Sequence, residues 1–395
     1  MPDTSDLLVI GGGVMGLWVT LKAAEAGLSV TLVDRAETGR GASGGLLGAL
    51  FPWMPDRWNA KKQYQFDALV ALPEEVARLE ALTGVGANYR RVGRIIPLPK
   101  PHLRPIAERH RRDAETNWQA GSAHFHWHLH DMAPEGLAID PESCAAGHVF
   151  DTLAARIEPR ALVRLLRAAL ARHATVRTIE HTDLLALDPA RSRAELGSGA
   201  GSLSFSHAVI AAGTGSFPLL ETLLPPLPKP LGQGVKGQAA LLGAGLDPAR
   251  PVVFLDGLYV VPHEGGLAAV GSTSENSYAD PATTDSQLDD VIARARALLP
   301  ELRDAPVVER WAGVRPKAIG RDPLVGLLPD HRNVTALTGG FKISFGVAHR
   351  LAVSALDPVL GTAAAPLPRS FTVEGQLESE LGWKASGPDP VASGS

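Results

Sequence analysis

A single cysteine, Cys144, occurs in 395 residues, so no disulfide can form within the chain, and the disulfide frameworks of small secreted domains do not apply. A reducing, cytoplasmic setting is the expectation. Long apolar runs are also absent. Lys22 and Glu25 interrupt the best candidate, which falls short of the ~18 residues that a membrane span needs. The opening MPDTSD is acidic where an export signal would be basic, and glycines break the apolar stretch behind it. Basic runs are missing too. With 38 basic and 42 acidic residues and a net charge of −4, the chain carries no stripe for nucleic acid or anionic lipid, so a small molecule is the expected partner. No internal repeat occurs. The composition, 45% hydrophobic and 20% charged, is globular, and the length suggests two domains.

What is present starts at Leu7. LLVI (Leu7–Ile10) is a short apolar run suited to a strand buried on both faces, and it leads directly into Gly11, Gly13 and Gly16 in the spacing G-x-G-x-x-G. Val14 and Met15 open a stretch of helical periodicity that stops at Gly27, and SVTLVD reads as a second strand ending at Asp34, followed by Arg35. Such a βαβ unit binds a dinucleotide, with glycines permitting close approach of the pyrophosphate, helix N–H groups facing phosphate, and a carboxylate for the ribose. The motif alone leaves FAD and NAD open, while an acid at Asp34 disfavours a 2′-phosphate. The next segment, RGASGGLLGALFPW, is too apolar for a surface turn. Ser43, Gly44, Gly45 and Leu46 let backbone approach a flat ring, which suits an isoalloxazine.

Residues 61–82 predict a helix with an irregularity at Pro73, RVGRIIPLP a strand, and 101–117 a solvated helix. FHWHLH alternates strictly, predicting one strand with His124, His126, His128 and His130 on a solvent-facing or cavity face; successive same-face positions do not converge on a metal. Ile157–His173 reads as an amphipathic helix with Pro159 in its first turn. AVIAA reads as a buried strand delivering Gly213 and Thr214 to a turn over the cofactor. Leu224–Pro230 reads as a stiff domain crossing, beyond which strands with a hairpin at Glu264–Gly266 predict an antiparallel sheet. A helix over 285–299, a strand VVERWAGVRP, and a last strand, glycine turn and helix complete the pattern. The tail 376–395 reads as disordered. Within WAGVRP, Arg315 lies in apolar, proline-stiffened sequence. A buried guanidinium requires either an internal acid such as Glu309 or Asp322, or an anionic ligand.

VIGGGVMG with Asp34, GASGG, ARIEPRALVRLL, HAVIAAGTGS, VKGQ, YVVPHEGGLAAVGSTSE, WAGVRP and TGGFKISFGVA, taken in that order, resemble the D-amino-acid oxidase superfamily of flavoproteins, especially its glycine oxidase and sarcosine oxidase-like branch. The resemblance implies an α/β fold. A Rossmann-like FAD-binding domain with a mostly parallel sheet would be built from 1–50, 156–218 and 319–375, and a substrate domain with a mostly antiparallel sheet from 51–155 and 219–318. It implies non-covalent FAD, since Cys144 lies far from the family's attachment position. It also implies oxidation of a C–N bond by hydride transfer to the flavin, with Tyr259 and Arg315 holding a substrate carboxylate. Gly339, Gly340, Phe341, Lys342 and Ile343 would cover the pyrimidine side, and Lys342 would reach substrate or flavin or else project to solvent. Ser274, where some relatives carry a bulkier apolar residue, bears on the substrate side chain. A tRNA-modifying flavoenzyme and an FAD-binding subunit without turnover are the alternative readings, and a homo-oligomer is compatible with all three.

Overall fold

The computed structural model describes residues 4–134, 136–197, 199–362 and 366–383. Thr4–Ile10 (β1) leads through the glycine turn into the helix Val14–Glu25 (α1), and Val30–Val33 (β2) returns parallel to β1 with Leu7 beside Val30 and Ile10 beside Val33. A parallel pair requires such a crossover. Val176–Ile179, Gly201–Ile210 and His331–Thr338 extend the same sheet in parallel, and three antiparallel strands bring it to eight. Side chains alternate across β1. Leu7 and Val9 enter a core with α1 and the helices Pro159–Leu170 and Ser344–Leu360, whereas Leu8 and Ile10 enter a second core beneath the sheet.

The other eight-stranded sheet is mostly antiparallel. Its order is Val307–Ala318, Gly232–Gly243, Leu267–Gly271, Leu258–His263, Val252–Leu255, Arg94–Pro97, His148–Asp151 and Trp127–His130, with a single parallel pairing between Val252–Leu255 and Arg94–Pro97. The hairpin at Glu264–Gly266 places Gly265 at φ 73° and Gly266 at φ 72°, which favours glycine at both. Leu224–Pro230 carry the chain from the helix Ser216–Glu221 to this sheet. The helix Ser286–Leu298 packs its buried residues against the sheet's outer face. Among the described residues no helix is long and apolar enough to cross a membrane.

The helix expected over 61–82 spans Ala60–Thr83 with Pro73 inside it; its apolar face packs into the core that holds Leu7 and Val9, and this burial outweighs the missing hydrogen bond. Two local expectations need correction. The histidine-rich segment is not one strand. Ala123–His124 pairs in a small hairpin with Gln119–Ala120, and only Trp127–His130 joins the large sheet. All four histidines are exposed to solvent, and none lines either cavity described below, with His126, His128, His130 and His148 forming a row of ring contacts. The expected disordered tail begins too early: Val373–Leu381 is a helix whose Gln376 is buried and donates to the carbonyls of Pro323 and Ser370. Residues 384–395 lie outside the described residues.

Candidate active site

The C-terminal ends of the parallel strands and one face of the antiparallel sheet enclose a cavity of about 1040 Å3, the position where open α/β sheets take their ligands. One end is built by the glycine turn. Gly11 has φ 104°, and a Cβ there would lie 2.5 Å from the Ala211 carbonyl oxygen. Gly13, the N-cap of α1, offers no side chain, and the Val14 N–H is taken by Ser43 Oγ at 2.9 Å. The remaining first-turn N–H groups have no partner within the helix, which makes this end an anion site. Asp34 accepts from the Gly12 N–H (2.6 Å) and the Ala36 N–H (2.8 Å), leaving each carboxylate oxygen a further lone pair for a hydroxyl.

Of the residues singled out in the sequence, Gly11, Gly13, Val14, Met15, Asp34, Arg35, Ser43, Gly45, Leu46, Gly213, Thr214, Tyr259, Arg315, Phe341 and Lys342 line this cavity. Gly16, Gly44, Gly339, Gly340 and Ile343 do not. A Cβ at Gly16 would stand 1.8 Å from the Gly11 carbonyl oxygen, so Gly16 seats α1 against the turn. Gly44 accepts from Arg160 through its carbonyl at 2.9 Å. A Cβ at Gly340 would meet Met15 Cε at 2.3 Å, so that glycine lets the last loop rest on α1. Ile343 borders a smaller cavity instead, and the exposed Ser274 borders neither.

The opposite wall is a bare stretch of antiparallel sheet. Trp311, Ala239, Gly271, Tyr259 and Phe254 form one cross-strand row, and Gly313 with Gly237 forms another. Small residues in the middle of these rows leave backbone exposed to a flat ligand. Gly237 also makes room for Arg315: a Cβ there would sit 2.6 Å from Arg315 Nη2.

Arg315 answers the question its sequence context raised. Neither proposed internal acid pairs with it, because Glu309 pairs with Arg160 (2.6 Å) and Asp322 with Lys61 (3.3 Å). The guanidinium donates to Ser272 Oγ (3.3 Å) and to the carbonyls of Lys236 (3.3 Å) and Thr273 (2.8 Å), and Nε is buried without an acceptor. Burial pushes its pKa down, opposed by Tyr259 and Glu275 nearby. A part-buried cation in a cavity wall, held only by neutral oxygens, suits an incoming anion. The Tyr259 ring stacks on Phe51 at 5.3 Å; burial raises its hydroxyl's pKa, and the charges of Arg94 and Arg315 oppose that shift. Lys342 is open to the cavity and has no carboxylate partner among the described residues. Enclosure by the surrounding protein pushes its pKa down, and repulsion from Arg315 and Lys317 adds to this.

Sequence reasoning missed what supports Arg315 from behind. Lys236 is buried and ion-paired with Glu275 (3.7 Å) and Asp285 (3.6 Å), and Gln238 bridges the same two acids at 2.9 Å each. The available signal was the pair of polar residues at i and i+2 in the otherwise apolar strand VKGQAALL. Tyr278, Asp183 and Thr338 also line the cavity without having been noticed.

Residues 6–353 match the family of FAD dependent oxidoreductases. The chain belongs to that family. It is 29% identical over 354 residues to a glycine oxidase of Pseudomonas aeruginosa, covering 85% of this chain and 89% of that one. It is 28% identical over 379 residues to a glycine oxidase of Pseudomonas putida, covering 95% and 100%. The crystal structure of glycine oxidase from Geobacillus kaustophilus shares the fold, with a TM-score of 0.82 at 22% identity over 94% of this chain and 98% of that one. The cofactor of this FAD-dependent oxidoreductase fits the cavity: the glycine cradle at Gly11 leaves no room for a side chain, and the bare sheet opposite accepts a flat ring. Cys144 stands apart from it, buried in the antiparallel sheet's outer core with its thiol pushed up to about 11 by burial.

Proposed function

We propose that the protein oxidises the C–N bond of a small amino acid or N-substituted glycine. The observation that carries this is Arg315, a part-buried guanidinium in the cavity wall with no anionic partner among the described residues. Similarity to glycine oxidases over most of the chain supports the same chemistry. FAD, when bound, supplies a two-electron acceptor for hydride at its N5. Arg315 receives the substrate carboxylate as a fork, and Tyr259, whose hydroxyl has no hydrogen-bond partner among the described residues, completes the clamp. That fixes the α carbon and converts binding into orientation. Among the described residues the carboxylates lining the cavity are Asp34 and Asp183, both at the end by the glycine turn, and no histidine lines it. With no carboxylate or histidine of that lining beside Arg315, the amine binds neutral; loss of hydride leaves an iminium ion, to which water adds, releasing the carbonyl compound and an ammonium ion.

This reading assigns 1–50, 156–218 and 319–375 to the cofactor and 51–155 with 219–318 to the substrate, in a cytoplasmic enzyme. The test is anaerobic mixing of the FAD-loaded protein with a panel of amino acids. Bleaching of the flavin by small amino acids is the expected result; a flavin that stays oxidised with every amine acid overturns the proposal.

A further inference from the structure

Beside the large cavity lies a smaller one of about 220 Å3 that shares Ala49, Tyr259, Lys342 and Phe345 with it. Its remaining wall is mostly apolar, from Phe51, Phe254 and Leu69 among others, and no carboxylate among the described residues lines it. Two features set it apart from a packing defect. Arg94 borders it, with a side chain only 2% exposed. The guanidinium makes one hydrogen bond, from Nε to Asp151 Oδ2 at 2.5 Å, lies 4.4 Å over the Phe51 ring, and keeps Nη2 without an acceptor. Native buried donors are rarely left in that state. Lys342 stands at the mouth as a cation with no ion-pair partner among the described residues. Tyr259 lines both cavities, and its hydroxyl feels the charges of Arg94 and Arg315.

The charges are unequal to the reading given above. A simple amino acid brings one carboxylate to Arg315 and leaves Lys342 and the spare donor of Arg94 unanswered. We propose that the substrate carries a second carboxylate, and that its arm passes Tyr259 into the small cavity, where Lys342 and Arg94 receive it. The inference rests on Arg315 binding the first carboxylate. Size agrees: an arm of five heavy atoms, at the ~30 Å3 of a water-sized group, fills about 150 Å3. Aromatic walls suit the methylene part, and the charge of Lys342, unpaired among the described residues, together with the spare Nη2 donor of Arg94, whose own charge is met by Asp151, suits an anionic end. The arm can leave the α carbon, as in glutamate, or the nitrogen, as in N-carboxymethylglycine; the shared feature is a carboxylate a few bonds from the reacting centre.

The experiment uses the FAD-loaded full chain and two non-oxidisable acids of equal length, pentanoate and glutarate, titrated against the flavin's visible spectrum. Glutarate is expected to bind at least about tenfold tighter. Lys342→Gln and Arg94→Lys should each shrink that ratio while leaving pentanoate binding in place. Turnover of both enantiomers of glutamate, of N-carboxymethylglycine and of norvaline then shows which atom bears the arm, and a preference for either dicarboxylate over norvaline supports the subsite. Equal binding of glutarate and pentanoate overturns it and leaves the amine-oxidation reading intact. If neither acid binds and no amine acid bleaches the flavin, the underlying reading has failed instead. Should Arg94→Lys not fold, because Asp151 is left poorly paired, the wild-type ratio and Lys342→Gln decide alone.

Discussion

Replacing Arg315 with methionine separates a ligand-binding arginine from a structural one, because the two roles predict opposite signs for stability. In the protein as it stands the side chain is part-buried in the cavity wall, its buried Nε has no acceptor among the described residues, and its other bonds go to neutral oxygens. Removing it relieves the cost of burying an unpaired charge and forfeits bonds to two carbonyls and a hydroxyl. The net expectation runs from no change to a gain of about 1 kcal/mol. Binding moves the other way. A forked pair with carboxylate offers two charge-assisted bonds of ~1.5–3 kcal/mol each, so a loss of about 3–6 kcal/mol is expected. At 1.36 kcal/mol per decade this is a rise of about two to four decades in Kd for a carboxylate ligand. The assay pairs thermal unfolding at saturating FAD with titration of the flavin spectrum by the same acid. A variant that melts several degrees lower and binds the acid as tightly as wild type would show that Arg315 is structural and refute the argument.

Three further outcomes follow from particular contacts. Gly237→Ala places a Cβ against the movable end of Arg315 rather than against backbone; the fold and flavin content should hold, while KM for carboxylate substrates rises about tenfold, measured by steady-state kinetics. Gly16→Ala forces a Cβ into the Gly11 carbonyl, so overpacking should cost about 1–3 kcal/mol in denaturant titrations and the purified protein should lose FAD. Burial pushes His207, which bonds Thr335 Oγ1 at 2.8 Å, down to about 4 from 6.5. The unfolded chain therefore takes up this proton first, and stability intact above pH 6.5 falls by about 3 kcal/mol between pH 6.5 and 4. His207→Gln, which keeps a partner for Thr335, should flatten that part of the pH–stability curve.

The readable parts were those whose determinants are neighbours in the chain. β1, the glycine turn, α1 and β2 follow from apolar runs and glycine spacing because the whole unit is local, and the Arg315 environment was conspicuous because Gly313 and Pro316 flank it. The helix Ala60–Thr83 was legible from its periodicity despite Pro73, whereas the C-terminal helix was misjudged where local composition pointed one way and packing another. Pro73 is tolerated within a buried interface, and Gln376 is held by carbonyls more than fifty positions earlier in the chain as well as by local ones. Composition weighs a residue by its own propensity and cannot weigh such partners.

By itself, then, the sequence determined the cofactor cradle, the two kinds of sheet and the presence of an arginine in need of an anion. Only the tertiary structure decided which anion was missing, by committing Glu309 to Arg160 and Asp322 to Lys61. It alone brought Arg94, read beforehand merely as part of a strand, to a cavity shared with Tyr259 and Lys342. Ion pairing is a competition among groups far apart in the chain. Cross-strand register and loop closure settle which acid reaches which base, and neither is written in the spacing around any one residue.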